Sequence, residues 1–317
     1  MHAYLVRRIL ALVPTLLFAT IIVFVTVRLV PGDVIDLMLS QNDVGAREVS
    51  REQLERTLGL DQPIHVQYFR WLAALARGDL GRSLWHDTPV VEEVLTRLPI
   101  TFELGMMAIV IALVIAVPIG IYSAMRQDTP GDYVARSLSI LALAMPSFWK
   151  ATLIMVFPSI WWGWSPEIKY VPFHQAPLQN LSQMLIPAVI LGLGLSAVTM
   201  RMTRTMMLEV LRQDYVRTAW AKGLDERTVV LRHALRNALI PVVTLIGLQA
   251  PIVIGGAVIM EQIFVIPGMG LLLLEAVGQR DYPVITGVFL VVGTAVVLIN
   301  LLVDLSYGLL DPKVRHR

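Results

Sequence analysis

The sequence predicts an all-α membrane protein with six transmembrane helices, and three observations carry that prediction. Of its 317 residues, 56% are hydrophobic and only 16% charged, and the mean hydropathy is +0.67, a membrane-class composition. Six apolar runs, residues 9–30, 104–125, 134–161, 181–203, 238–260 and 282–302, reach the length of about 20 residues that a helix needs to cross a hydrocarbon core about 30 Å thick. Lysines and arginines collect beside these runs in alternate loops. Every run contains glycine or proline, which membrane helices tolerate because neighbours satisfy the freed backbone groups.

The first run follows a basic start, MHAYLVRR, as a signal peptide would. Its apolar core, residues 9–27, exceeds the about 7 to 15 residues of a signal core and no small-residue cleavage site follows, so it reads as a retained span. Placing the amino terminus in the cytoplasm assigns to that side Arg7, Arg8, Arg126, Arg136, the eight basic residues from Arg201 to Arg236, and Lys313, Arg315 and Arg317. The short outer loops then keep only Lys169 and Arg280, and both termini lie inside. The expected division is a first transmembrane helix (1–30), an extracytoplasmic helical cap (31–99), and a core of five helices (100–317) that includes a cytoplasmic hairpin at 205–237.

The cap carries its own helix signals. Ser50-Arg-Glu-Gln53 fits a capping box with Gly59 as its stop, Pro63 opens a helix through WLAALAR that Gly78 ends, and Thr88-Pro89 opens a third, short helix toward Leu98. Such a cap either packs over the membrane part or also presents a docking surface.

The hairpin reads RTAWAKGLDERTVVLRHALRNALIP from Arg217 to Pro241. An amphipathic helix over 208–222, with Leu211, Tyr215 and Ala219 at helical spacing, is too polar to span. Gly223 supplies a left-handed cap position and Asp225 an N-cap for the helix that enters the fifth span near Pro241. From the residues alone, such a pair either lies in the lipid interface or docks a partner.

Several chemistries are excluded. No cysteine is available for disulfides, thiolate metal sites or nucleophiles. His2, His65, His86, His174, His233 and His316 are too scattered for a short-spaced ligand pair, so no metal site is expected. The pI near 9.0 comes without a basic patch interleaved with aromatics, which argues against nucleic acid. None of Lys150, Lys169, Lys222 and Lys313 follows a glycine, so the chain lacks a P-loop and no bound cofactor is expected.

Lys150 is the most unusual residue inside a span. It stands 14 residues past Arg136, which on a straight helix is about 21 Å of rise. An intramembrane lysine either lines a wet cavity or snorkels to an interface, here toward Trp161 and Trp162. Glu103 and Asp304 read as helix-end partners or proton-relay groups, and Gly192, Gly194, Gly255 and Gly256 as close-packing points. The PGMG of residues 267–270 breaks the chain between the fifth and sixth spans.

The hairpin resembles the cytoplasmic "EAA" signature of ABC importer permeases, most closely the dipeptide, oligopeptide and nickel permease family. The likeness extends over the chain through VRRILALVPTLLFATIIVFVTVRLVPGD, GDLGRSL (78–84), RLPITFEL (97–104), MPSFW (145–149) and EQIFVIPGMGLLLLEAVGQRDYPV (261–284). The resemblance implies a type I ABC importer permease fold and a non-catalytic bacterial or archaeal inner-membrane subunit. It also implies a second permease in a heterodimer, two ATP-binding subunits that hold ATP and Mg, and an extracytoplasmic solute-binding protein. Carried onto this chain, it gives docking of an ATPase subunit to Arg217, Thr218, Ala219, Lys222, Gly223 and Leu224. It also gives the binding-protein contact to Pro267, Gly268 and Gly270. Similar sequences often have arginine where Trp220 stands. The competing functional class is an autonomous ion-coupled secondary transporter, in which Lys150 and Asp304 would be the coupling charges; a third is a non-transporting scaffold.

Overall fold

The computed structural model describes residues 2–29, 35, 51–52, 55, 61–166 and 170–310. The helix expected between Ser50 and Gly59 lies almost wholly outside them, as do Lys169, Lys313, Arg315, Arg317 and the side chain of Asp304. The described residues are helical apart from turns and one isolated bridge, Arg82 to Pro89. The helices are α1 (His2–Leu29), α2 (Ile64–Leu75), α3 (Val90–Met125), α4 (Pro130–Ala144), α5 (Ser147–Trp162), α6 (Pro177–Leu211), α7 (Asp214–Ala221), α8 (Glu226–Phe264), α9 (Met269–Gln279) and α10 (Tyr282–Leu310).

Four of these, α3, α6, α8 and α10, are long and apolar enough to cross a membrane, and the bent pair α4 and α5 makes up to five. The apolar stretch Leu12–Arg28 of α1 is shorter. The expected straight span over 134–161 is instead broken, with α4 and α5 meeting at 91°. Pro146 is the cause: it has no N–H for the carbonyl of Ala142, and it biases Met145 to its extended backbone, φ −88° and ψ 118°. The short helix expected after Pro89 is not separate, because α3 runs through Pro99 and Pro118 to Met125 without a break. The expected helix over 208–222 is in fact two: α6 ends at Leu211, and α7 starts at Asp214.

The chain forms two compact units, residues 100–270 with 298–317, and residues 2–99 with 271–297. Residues 271–297 thus group with the amino-terminal part. In that unit, Asp281 holds the 78–89 segment: its carboxylate accepts from Ser83 Oγ (2.6 Å) and Leu84 N (3.1 Å), while Trp85 Nε1 donates to the Gln279 carbonyl (2.8 Å). Burial pushes the Asp281 carboxyl up, and the hydrogen bonds it accepts from Ser83 and Leu84 oppose the rise. Phe24 of α1 packs edge-on against Tyr68 of α2 at 5.2 Å, with the Arg28 guanidinium 3.5 Å over the Phe24 ring.

The larger unit centres on α6. Its Ala188, Ile190 and Leu191 meet Leu104 and Ala108 of α3, Ala151 of α5, and Val253, Ala257 and Met260 of α8. Small residues allow the backbones to approach, as membrane helices require where van der Waals packing drives association. A Cβ on Gly192 would stand 2.9 Å from the Ala108 carbonyl oxygen, and one on Gly256 2.9 Å from Leu191 Cδ2. Gly194 and Gly255, expected to act likewise, have nothing within 4 Å.

Candidate functional site

The polar hairpin follows from local chemistry. Gly223 takes φ +77°, a backbone that glycine alone adopts without strain, and so lets the chain leave α7 and reverse. Asp225 then caps α8, accepting from Thr228 N at 3.1 Å, and hydrogen bonding from the Thr228 side chain and backbone holds its carboxyl below the usual range. Residues Val229–Ala234 of α8 form a π-helical turn, and Leu235 onward is α-helical.

The sequence-derived docking residues divide in two. Arg217, Thr218, Lys222, Gly223 and Leu224 are exposed, together with Trp220, and a Cβ on Gly223 would meet nothing within 4 Å. Ala219 is buried with Val216 against Val229, beside Val210 and Leu211, and fastens α7 to its own chain. The inward stripe is therefore Val216 and Ala219. Tyr215, expected within that stripe, is 44% exposed and its hydroxyl accepts from Asn237 Nδ2 at 2.7 Å.

A buried ion pair stands where α3, α4 and α6 converge, and sequence reasoning missed it. Asp132 is fully buried; Arg204 donates to it through Nε (3.0 Å) and Nη2 (2.8 Å), Ser123 Oγ donates to Oδ1, and Asp128 N to Oδ2 (3.1 Å). The available signal was Thr129-Pro130 followed by an acid in the first turn of α4.

Lys150 occupies the break between α4 and α5. Its Nζ donates to the Ala142 carbonyl at 3.2 Å, the acceptor that Pro146 cannot serve. Because the chain bends there, the depth of about 21 Å expected from a straight helix does not apply. Lys150 borders two cavities of about 510 Å³ each. One is lined by Leu138, Ser139, Ile154, Ser196 and Met200, the other by Ser147, Val198, Gln249, Ile252 and Gly256. Their walls are mainly apolar, and the lysine is the charged group common to both.

Pro267, Gly268 and Gly270 do not form an exposed patch: both glycines are buried and Pro267 is half-buried. They wrap the buried carboxylate of Glu261, which accepts from Thr101 Oγ1 (2.6 Å) and Gly270 N (2.6 Å), while Met269 N donates to Thr101 Oγ1 (2.8 Å). The motifs RLPITFEL and EQIFVIPGMG thus meet at one helix start, where carboxylate and hydroxyl take the first N–H groups of α9. A Cβ on Gly270 would lie 2.5 Å from the Val258 Cα, a backbone atom that cannot swing aside. Gly270→Ala is expected to destabilise the protein by about 3 kcal/mol. Gly278→Ala, whose Cβ meets nothing within 4 Å, is the control in a thermal unfolding assay in detergent.

Comparison with known proteins matches the chain to one family. The family described as "Binding-protein-dependent transport system inner membrane component" matches residues 116–316, and its N-terminal companion matches residues 1–105. The chain is 37% identical over 343 residues to the dipeptide transport system permease protein of Escherichia coli strain K12, with all of both chains covered. It is 39% identical over 319 residues to the oligopeptide transport system permease protein of Bacillus subtilis strain 168, again with full coverage of both. An amino acid ABC transporter of known crystal structure shares the fold at a TM-score of 0.50 and 13% identity, covering 70% of this chain and 94% of its own. The chain belongs to the binding-protein-dependent transport system inner membrane component family, as a permease subunit.

Proposed function

We propose that this chain is a transmembrane subunit of an ATP-driven importer for peptides or related small solutes such as dipeptides, oligopeptides or nickel chelates. It has six spans, with both termini in the cytoplasm, and works by alternating access. Separate ATP-binding subunits hold ATP and Mg and dock on hairpin 205–237 through Arg217, Thr218, Lys222, Gly223 and Leu224. A second permease completes a heterodimeric pathway, and an extracytoplasmic binding protein delivers the cargo. The chain itself catalyses nothing.

The observation that carries this reading is the hairpin, a polar helix–turn–helix continuous with the long apolar helix α8 and exposed along one side. A lever of this kind can pass a movement at its tip into a membrane helix. The names of the full-length relatives support peptides as cargo. The test is a mild-detergent purification of the tagged chain from its native membrane, with mass spectrometry and an ATPase assay on the eluate. A second permease and ATP-hydrolysing subunits are expected; an ATPase-free homo-oligomer would refute the reading.

In this reading Lys150 lines the pathway, and its ammonium, with Gln249 in the same cavity, favours the carboxylate of a peptide. Lys150→Met is expected to cut uptake of free-carboxylate peptides about tenfold, the factor of one charge-assisted hydrogen bond, while amide-capped peptides change little. Equal loss for both would assign Lys150 to bracing the Ala142 carbonyl alone.

A further inference from the structure

We propose that the hydrogen bond between Tyr215 and Asn237 is the joint through which movement of α7 enters α8, which makes Tyr215 a positioning residue for transport; this rests on the docking reading above. The apolar contact of α7, Val216 and Ala219 on Val229, is non-directional and lets the short helix slide. Among the described residues, the other side-chain bonds of α7 stay within it: Thr218 Oγ1 to the Asp214 carbonyl at 2.9 Å and Arg217 to Asp214 at 3.5 Å. Tyr215 alone reaches across, accepting from Asn237 Nδ2 at 2.7 Å and donating toward the His233 carbonyl at 3.5 Å. An aromatic arm with two rotatable bonds transmits direction better than a flexible polar chain.

The contact falls where α8 is least braced by its own backbone. His233 lies in the π-helical turn, and Pro241 has no N–H to give the carbonyl of Asn237, four residues earlier. A helix segment with a disturbed ladder can change register or direction, and an external tie at that point sets which way it goes. Both side chains are exposed in the isolated chain, so the bond adds little to folding. A role in transmission is therefore separable from a structural one.

The experiment uses the complete complex with its ATP-hydrolysing subunits and binding protein. The chain has no cysteine, so Gln262→Cys, at an exposed position late in α8, gives one site on this chain, and its maleimide labelling rate, read on this subunit after the complex is separated, reports the movement of that helix when ADP-vanadate is added. Tyr215→Phe is expected to retain the ATPase subunits and to lose about fivefold of the vanadate-induced change in labelling, the factor of one ordinary hydrogen bond. Asn237→Leu behaves likewise, Tyr215→Phe with Asn237→Leu is no worse than either, and Asn237→Asp, whose carboxylate accepts the phenol proton, is restored. An unchanged labelling response in Tyr215→Phe overturns the proposal. Loss of the ATPase subunits in Tyr215→Phe also overturns it, by making the residue part of docking. If the unsubstituted complex carries no ATPase subunits, the docking reading itself fails, which is a separate result.

Discussion

Arg204→Ala is expected to destabilise the permease by about 3–5 kcal/mol, because it leaves the carboxylate of Asp132 buried without its cation. Asp132 has no exposed surface and Arg204 is 15% exposed, so the carboxylate relies on its protein partners. Arg136 offers little compensation, its Nη1 being 4.0 Å from Asp132 Oδ2 and its side chain 38% exposed. Asp132→Ala removes the acceptor of Arg204, Ser123 and the Asp128 amide together, and is expected to cost a similar amount. Replacing both charges, Asp132→Leu with Arg204→Met, should recover most of the loss, since an apolar pair of similar volume avoids desolvating two ions. Unfolding curves in detergent of the unsubstituted chain, Asp132→Ala, Arg204→Ala and Asp132→Ala with Arg204→Ala form a double-mutant cycle that measures the coupling. Independent, additive losses would refute the ion pair as the fastener of α3, α4 and α6.

Gly223→Trp is expected to abolish ATP-driven uptake while the permease still folds. Two effects add. The φ of +77° penalises a bulky L side chain such as tryptophan by about 1–2 kcal/mol, and an indole would fill the open space in front of the turn, where the ATPase subunit is proposed to sit. Gly223→Asn separates them, because asparagine tolerates the left-handed backbone yet still occupies that space. Its stability should stay within about 0.5 kcal/mol of the unsubstituted chain, with copurifying ATPase and uptake both reduced. Full uptake in Gly223→Trp would remove the hairpin from the docking surface.

These expectations also show how far the sequence reached. The hairpin was legible because its signals are local: glycine at the turn, aspartate at the N-cap and polar side chains around them act within a few residues of chain. The long apolar runs were legible for the same reason, since hydropathy is a property of a segment. The short helix expected after Pro89 failed on a local rule that a tertiary setting overrode, as a membrane helix passes through Pro99 when neighbouring groups compensate.

The chain by itself determined an apolar, helical membrane protein with a polar hairpin, no P-loop and a lysine in an apolar run. Only the tertiary structure decided which faces of those helices matter. It buried Ala219 against Val229 and left Tyr215, one turn earlier and about 40° around the helix, at the edge of that stripe, where it bonds Asn237; the pattern of apolar residues did not resolve that edge. It brought Arg204 to Asp132 across 72 residues and Glu261 to Thr101 across 160. Pairings at such separations depend on how helices pack, and no local periodicity encodes them. The bend at Pro146 placed Lys150 beside the one carbonyl that proline leaves unserved, so the residue that looked misplaced in a straight span is held there by the break.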